Sequence, residues 1–228
     1  MSRRAGGNQI IPRPETWRLG TSTPWENRDL GVLSDFDEVT VRLTRVLAAY
    51  EPAIYDEYIN AADAKPSAVL VALLPHESDV HVLLTRRAQH LNNHKGEVSF
   101  PGGRLERRET AQQAALREAY EEVSLAPSAV TVVGSLDTIS TFVSKSIITP
   151  IVGFIPPSLT LVPDSGEVAR IFTVSLQDLV RPDTYRNEWW LTPRGEINIH
   201  FFELDDETVW GATGRMLTQL LDIITRGE

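Results

Sequence analysis

Apolar positions change their spacing several times along the chain, and each change marks an element. Residues 1 to about 35 hold no steady period and carry Pro12, Pro14 and Pro24. They read as an extended arm. Ile10, Ile11, Trp17 and Trp25 are the side chains able to pin it to the body or to a second subunit. Residues 36–228 read as the folded domain. Val39, Leu43, Val46, Leu47 and Tyr50 follow mostly helical spacing behind a capping aspartate, Asp35 or Asp37, and predict a helix over 37–50. The stretch 51–65 is open between a short helix and a loop. Ser67 to Leu74 is continuously apolar, the mark of a strand buried on both faces, and Val80 to Arg86 predicts its partner. Ala88 to Lys95 is polar and loop-like. A short strand at Val98 to Phe100 stops at Pro101-Gly102-Gly103.

Thr110 with Gln113 has the form of a capping box, and Ala111, Ala115, Ala119 and Val123 make a small apolar face behind it. That helix ends before Pro127. Further strands are expected at Val130 to Leu136, Ile147 to Ile155 and Ala169 to Val174, with Ser140 to Ser146 and Pro156 to Gly166 as loops. Ser175 to Leu179 reads as a helical turn. Glu188 to Leu191 and Ile197 to Leu204 predict a hairpin turning at Pro193 to Gly195. Thr208 to Thr225 predicts a closing helix whose core side is Val209, Met216, Leu217, Leu220, Leu221 and Ile224. Strands interleaved with helices indicate an α/β fold, a sheet with helices against it.

Composition narrows the partners. The net charge of −9 argues against a broad nucleic-acid surface, which needs a basic stripe, but leaves room for one small anionic substrate. Without cysteine there are no disulfides, thiolate metal sites or cysteine nucleophiles, which suits a cytoplasmic protein. The N-terminal residues lack an apolar signal core, and the longest apolar run, Ala68 to Leu74, is too short to span a bilayer, so no membrane partner is expected.

The chemistry concentrates between Gly103 and Leu125. Glu118 shares a helix face with Glu121 and Glu122, and like charges this close repel unless a cation sits among them. Hard divalent cations take oxygen ligands and commonly work on phosphates. Gly102 and Gly103 let the backbone approach a metal or ligand, and a carbonyl there can supply an oxygen. Arg117, four residues before Glu121, can orient a glutamate through a charge-assisted hydrogen bond. The phosphate loop GxxxxGK[ST], the zinc pair HExxH, GxSxG and GxGxxG are all missing.

Gly103, Glu109, Arg117-Glu118, Ala119, Glu121-Glu122 and Leu125 stand at the offsets of the signature it resembles, that of the Nudix hydrolases. Ser124 replaces the late glycine of that pattern. The resemblance implies an α/β/α sandwich with a mixed sheet. It also implies Mg²⁺- or Mn²⁺-dependent cleavage of a nucleoside diphosphate linked to another moiety. Glu118 and Glu122 would be the main metal ligands and Glu121 a further ligand or part of the water-activating network. Glu109 would pair with Arg117, and Glu167, on a later loop, would be an extra ligand or base. Just upstream, Leu83, Leu84, Thr85, Arg87, Ala88, Gly96 and Phe100-Pro101-Gly102-Gly103 resemble the segment marking coenzyme A pyrophosphatases, with Asn92 where that segment has arginine. Trp210 to Leu217 resembles the closing helix of the same subfamily.

That second resemblance implies CoA or an acyl-CoA as substrate, cut to 3′,5′-ADP and a phosphopantetheine product. Its phosphates need cations, and Arg87, Lys95, Arg104 and Arg86 lie in the right region. His90, His94 and the pair Trp189-Trp190 are weaker candidates for substrate contact. The alternatives are a family member acting on NADH, ADP-ribose or a nucleoside triphosphate, and a non-catalytic nucleotide-binding module. A homodimer is a further expectation.

Overall fold

A twelve-residue strand, β3 (Lys65–His76), runs through the centre of the molecule. Its side chains alternate between two cores. Val69, Val71 and Leu73 point into one, Ala68, Leu70, Ala72 and Leu74 into the other. In the computed structural model the described residues are 4–55, 64–91, 95–141, 145–193 and 195–226. In chain order the remaining elements are β1 (Trp17–Leu19), α1 (Phe36–Ala48), β2 (Ile54–Tyr55), β4 (Asp79–Arg87), β5 (Val98–Ser99), β6 (Gly102–Arg104) and α2 (Ala111–Val123). Then follow β7 (Thr131–Ser135), β8 (Thr138–Thr141), β9 (Ser146–Phe154), β10 (Val168–Ser175) and the turn α3 (Leu176–Leu179). The chain closes with β11 (Tyr185–Thr192), β12 (Gly195–Glu203), β13 (Thr208–Trp210) and α4 (Gly211–Thr225).

β3 pairs in parallel with β9 and antiparallel with β4 and β6 within a mixed nine-stranded sheet. Helices cover both faces, as an α/β/α sandwich requires. Buried residues of α1 and α4 join the first core, and the alanine face of α2 joins the second. Ala68 and Ala72 on the sheet share this core with Ala115 and Ala119 on the helix, so small side chains on both partners let α2 lie close to the strands. Asp35 caps α1 by accepting from the Glu38 amide, and Thr110 and Gln113 exchange both bonds of a capping box at α2.

A second, all-antiparallel sheet of order β1-β11-β12-β13 carries the arm. Trp17 to Leu19 pairs with Trp190 to Glu188, and Trp25 is buried against Tyr185 and Phe202. Ile10 and Trp17 are exposed, so of the anchors named Trp25 is the one driven into the core. Arg4 pairs with Asp205, Gln9 with Glu207 and Arg13 with Glu188, which ties the arm to the last third of the chain.

Several element boundaries differ from the expectation, among them β11, which opens at Tyr185 rather than Glu188. Thr208 to Trp210 is a strand, with Val209 in the core from that strand; Gly211, at φ 62°, turns the chain into the helix. Gly102 to Arg104 continues as strand β6, because missing side chains let it lie against β3: a Cβ on Gly102 would strike the Val69 backbone, 2.6 Å from its Cα. Thr138 to Thr141, partly assigned to a loop, pairs with β9 and buries Ile139 and Ser140. In the stretch 51–65, Ile54–Tyr55 forms β2 and Lys65 opens β3, while 56–63 lie outside the described residues.

Candidate active site

The site is built where β6 ends, α2 begins and the loop before β10 returns. Arg117 is its hub. Its Nε and Nη2 donate to the two oxygens of Glu109 at 2.9 and 3.0 Å, a bidentate pair. Nη2 also donates to the Arg104 carbonyl at 3.0 Å, which ties the β6–α2 loop to the helix. Nη1 reaches Glu118 at 2.9 Å and Glu121 at 3.0 Å. The guanidinium beside Glu109, with the Glu106 amide, holds the Glu109 carboxyl below its ordinary range. Burial raises the Glu118 carboxyl, and Arg117 opposes that rise.

Glu122 lies one turn further, facing inward, and is only 4% exposed. Its Oε2 accepts from the Gly102 amide at 3.1 Å, and Arg87 stands 3.6 Å from its Oε1. Burial pushes its carboxyl up to about 7, against the pull of the Gly102 N–H and Arg87; the charges of Glu118 and Glu167 push the same way. Glu167 is exposed, with its carboxylate 4.0 Å from Arg87. The structure therefore brings Glu109, Arg117, Glu118, Glu121, Glu122, Glu167, Arg87 and Gly102-Gly103 together.

The other cations and rings named from the sequence stand differently. Arg86 follows strand alternation to the other face of β4, where it pairs with buried Glu207 at 3.0 Å. Lys95 and Arg104 are exposed beside the glycine strand and the loop before it. His90 bonds the Gly166 carbonyl at 3.0 Å. Trp189 and Trp190 belong to the second sheet, the latter donating to Glu188 at 2.7 Å. Asn92 and His94 lie outside the described residues.

Ser124 ends α2 with φ 59° and ψ 27°, the left-handed conformation for which glycine is favoured. Leu125 then donates back to the Ala119 carbonyl at 3.2 Å, and the Ser124 hydroxyl donates to the Val162 carbonyl at 3.2 Å. The helix thus closes as it would with glycine.

The donor set suits a hard divalent cation. The Glu118 carboxylate lies against Gly103 so closely that any side chain there would strike it, and Glu122 is a buried carboxylate short of positive charge. Among the described residues no three acidic or histidine side chains already converge on one point. Arg117 holds Glu118 and Glu121, and the Gly102 amide holds Glu122, so a metal would draw side chains from a fixed backbone rather than enter a closed cage.

Sequence reasoning missed two features. Asp164 accepts the Glu167 and Val168 amides on its carbonyl and donates its own amide to the Glu122 carbonyl, so it seats the Glu167 loop on the end of α2. Its signal was the Asp-Ser-Gly turn, closed by the Gly166 amide on its carboxylate at 2.9 Å. Arg107 and Arg108 line, with Arg117 and Glu109, an open groove of about 470 Å³.

A fold of this topology carrying this node is that of the Nudix hydrolases, and the NUDIX domain model matches residues 64–195: the chain belongs to that family. It is 34% identical over 164 residues to a protein of Yersinia enterocolitica described as "Uncharacterized Nudix hydrolase NudL", covering 70% of this chain and 82% of the relative. It is 30% identical over 195 residues to Nudix hydrolase 3 of Caenorhabditis elegans, covering 78% and 81%. A solved Nudix hydrolase from M. smegmatis, RenU, aligns with a TM-score of 0.44 at 24% identity, over 52% of this chain and 78% of that one.

Proposed function

We propose that this Nudix hydrolase cleaves the diphosphate of CoA or an acyl-CoA, giving 3′,5′-ADP and (acyl-)4′-phosphopantetheine. The observation that carries the reading is the position of Arg87. It belongs to the β4 segment that resembles the CoA pyrophosphatases, and its guanidinium faces Glu122 and Glu167. The substrate-selecting segment and the carboxylates therefore meet at one side chain.

Glu118 and Glu122, with Glu121 and a carbonyl of Gly102 or Gly103, would hold Mg²⁺ or Mn²⁺. Bound there, the metal neutralises the diphosphate, polarises a P–O bond and makes water a better nucleophile. Arg117 holds Glu109, Glu118 and Glu121 in place, so it is a positioning residue. Glu167 stands at the edge of the cluster, exposed, where it can accept the proton of the attacking water. Arg87 offers its guanidinium to a phosphate oxygen, and Lys95 and Arg104, both exposed, flank the approach. Water adds to one phosphorus, the bond from that phosphorus to the bridging oxygen breaks, and the bridging oxygen leaves on the other phosphate.

The experiment is a substrate panel with Mg²⁺ or Mn²⁺: CoA, acyl-CoA, NADH, ADP-ribose and deoxynucleoside triphosphates, with products identified by mass. Release of 3′,5′-ADP from CoA is expected. Turnover of another member with CoA untouched would move the assignment to that substrate.

A further inference from the structure

The four-stranded sheet holds a cavity of about 390 Å³, within the size range of small-molecule sites. None of the carboxylates of the α2 node lines it. On one face of the sheet, Arg18 of β1 stands beside Trp189 of β11, which is paired with Asn198 of β12; Asn187 is paired with His200. The arm closes the other side through Thr21, Ser22 and Pro24.

The polar groups here are held in one arrangement. Asn187 Nδ2 donates to the Ser22 carbonyl at 2.8 Å and to the Tyr185 hydroxyl at 3.4 Å. Asn187 Oδ1 accepts from Asn198 Nδ2 at 3.2 Å. The Tyr185 hydroxyl lies 2.8 Å from His200 Nδ1. The tyrosine oxygen thus sits between the Asn187 amide and the imidazole. Burial and the charge of Arg215 push His200 down to about 4, so the ring is neutral at pH 7.

What this leaves is specific. Asn198 has given one N–H to Asn187 and keeps a second N–H and its carbonyl, a donor and an acceptor on one planar group. A side-chain amide reads adenine by that pair, on N6 and N7. One wall joins a cation to a ring: the Arg18 Cζ lies over the Trp189 ring, 5.2 Å from its centroid. Bases stack on aromatic rings and on guanidinium planes alike. Among the described residues the only cation in the lining is Arg18, and it is already paired with Glu196 at 3.0 Å, so the cavity favours a neutral planar ring over an anion.

We propose that this cavity is a second, non-catalytic site for a purine nucleoside, its base stacked on the Arg18–Trp189 wall and its edge read by Asn198. The inference does not rest on the proposed substrate. Its test uses adenosine, which has no phosphate for the carboxylate node, titrated calorimetrically into the full chain in EDTA. Adenosine is expected to saturate the parent and Glu122→Gln alike, and to bind Asn198→Ala at least tenfold more weakly. Should circular dichroism show that Asn198→Ala does not fold, Arg18→Ala, altered at an exposed side chain, takes its place with the same expectation. Absence of binding to the parent, loss of binding in Glu122→Gln, or unchanged binding in the cavity variant overturns the proposal.

Discussion

Two buried glutamates, one in each sheet system, have opposite surroundings. Glu188, on β11, is 1% exposed. Burial alone would raise its carboxyl, but Arg13 at 2.9 Å, the Trp190 indole and the charge of Arg186 hold it below the ordinary range. Glu122, on α2, is nearly as buried, yet it has one backbone amide and an arginine at 3.6 Å, and it rises to about 7. A carboxylate kept for structure comes with its cations. One left short of them, as Glu122 is, costs stability until a cation arrives.

The comparison breaks most clearly through activity. Glu122→Gln is expected to lower metal-dependent hydrolysis by at least about 10³-fold while the circular dichroism spectrum is unchanged. Turnover equal to the parent would remove Glu122 from the site. Glu188→Gln should do the reverse. It leaves Arg13 and Arg186 without their full counter-charge and is expected to cost about 3 kcal/mol in denaturant unfolding, with normal turnover of the folded enzyme.

The pH dependence of metal-free stability sharpens the contrast. Glu122 binds its proton more tightly in the folded state than in the unfolded chain. Its ionisation therefore weakens the fold as pH rises from 4.5 to about 7. The loss is up to about 3 kcal/mol. Unfolding in EDTA across that window should show the decline in the parent and a flatter profile in Glu122→Gln. The smallest effect concerns the end of α2. Ser124→Gly relieves a left-handed serine, worth about 1 kcal/mol, and loses the bond to Val162. A net gain of about 0.5 kcal/mol is expected, a rise of about 1–2 °C in Tm. A fall in Tm would show that the hydroxyl bond outweighs the backbone relief.

Local features were legible in the sequence. The capping box of α2, its alanine stripe and the spacing from Gly103 to Leu125 depend on residues within a few turns of one another, and all stand in the structure. The two-faced strand β3 was legible because a short, unbroken apolar run after Pro66 fits a strand covered on both sides. Long-range polar pairing was not legible. The first half of β11, Tyr185-Arg186-Asn187, looks like surface until Glu188, Glu203 and Arg13 arrive to neutralise it. Arg86 and Arg87 are adjacent in sequence, and only the orientation of β4 against its neighbours separates the one at the carboxylates from the one at Glu207.

The arm's attachment also has a kinetic consequence. Its bonds to Asp205, Glu207 and Thr208 span about two hundred residues. Contacts so distant in sequence form late, after loop closure has been opposed by the entropy of the whole intervening chain. During synthesis β1 must wait for β11 before it has a strand partner. β1 therefore joins the edge of its sheet only after β11 is in place, and a chain that stops before β12 would leave Trp25 without its Phe202 contact and Arg4 without Asp205.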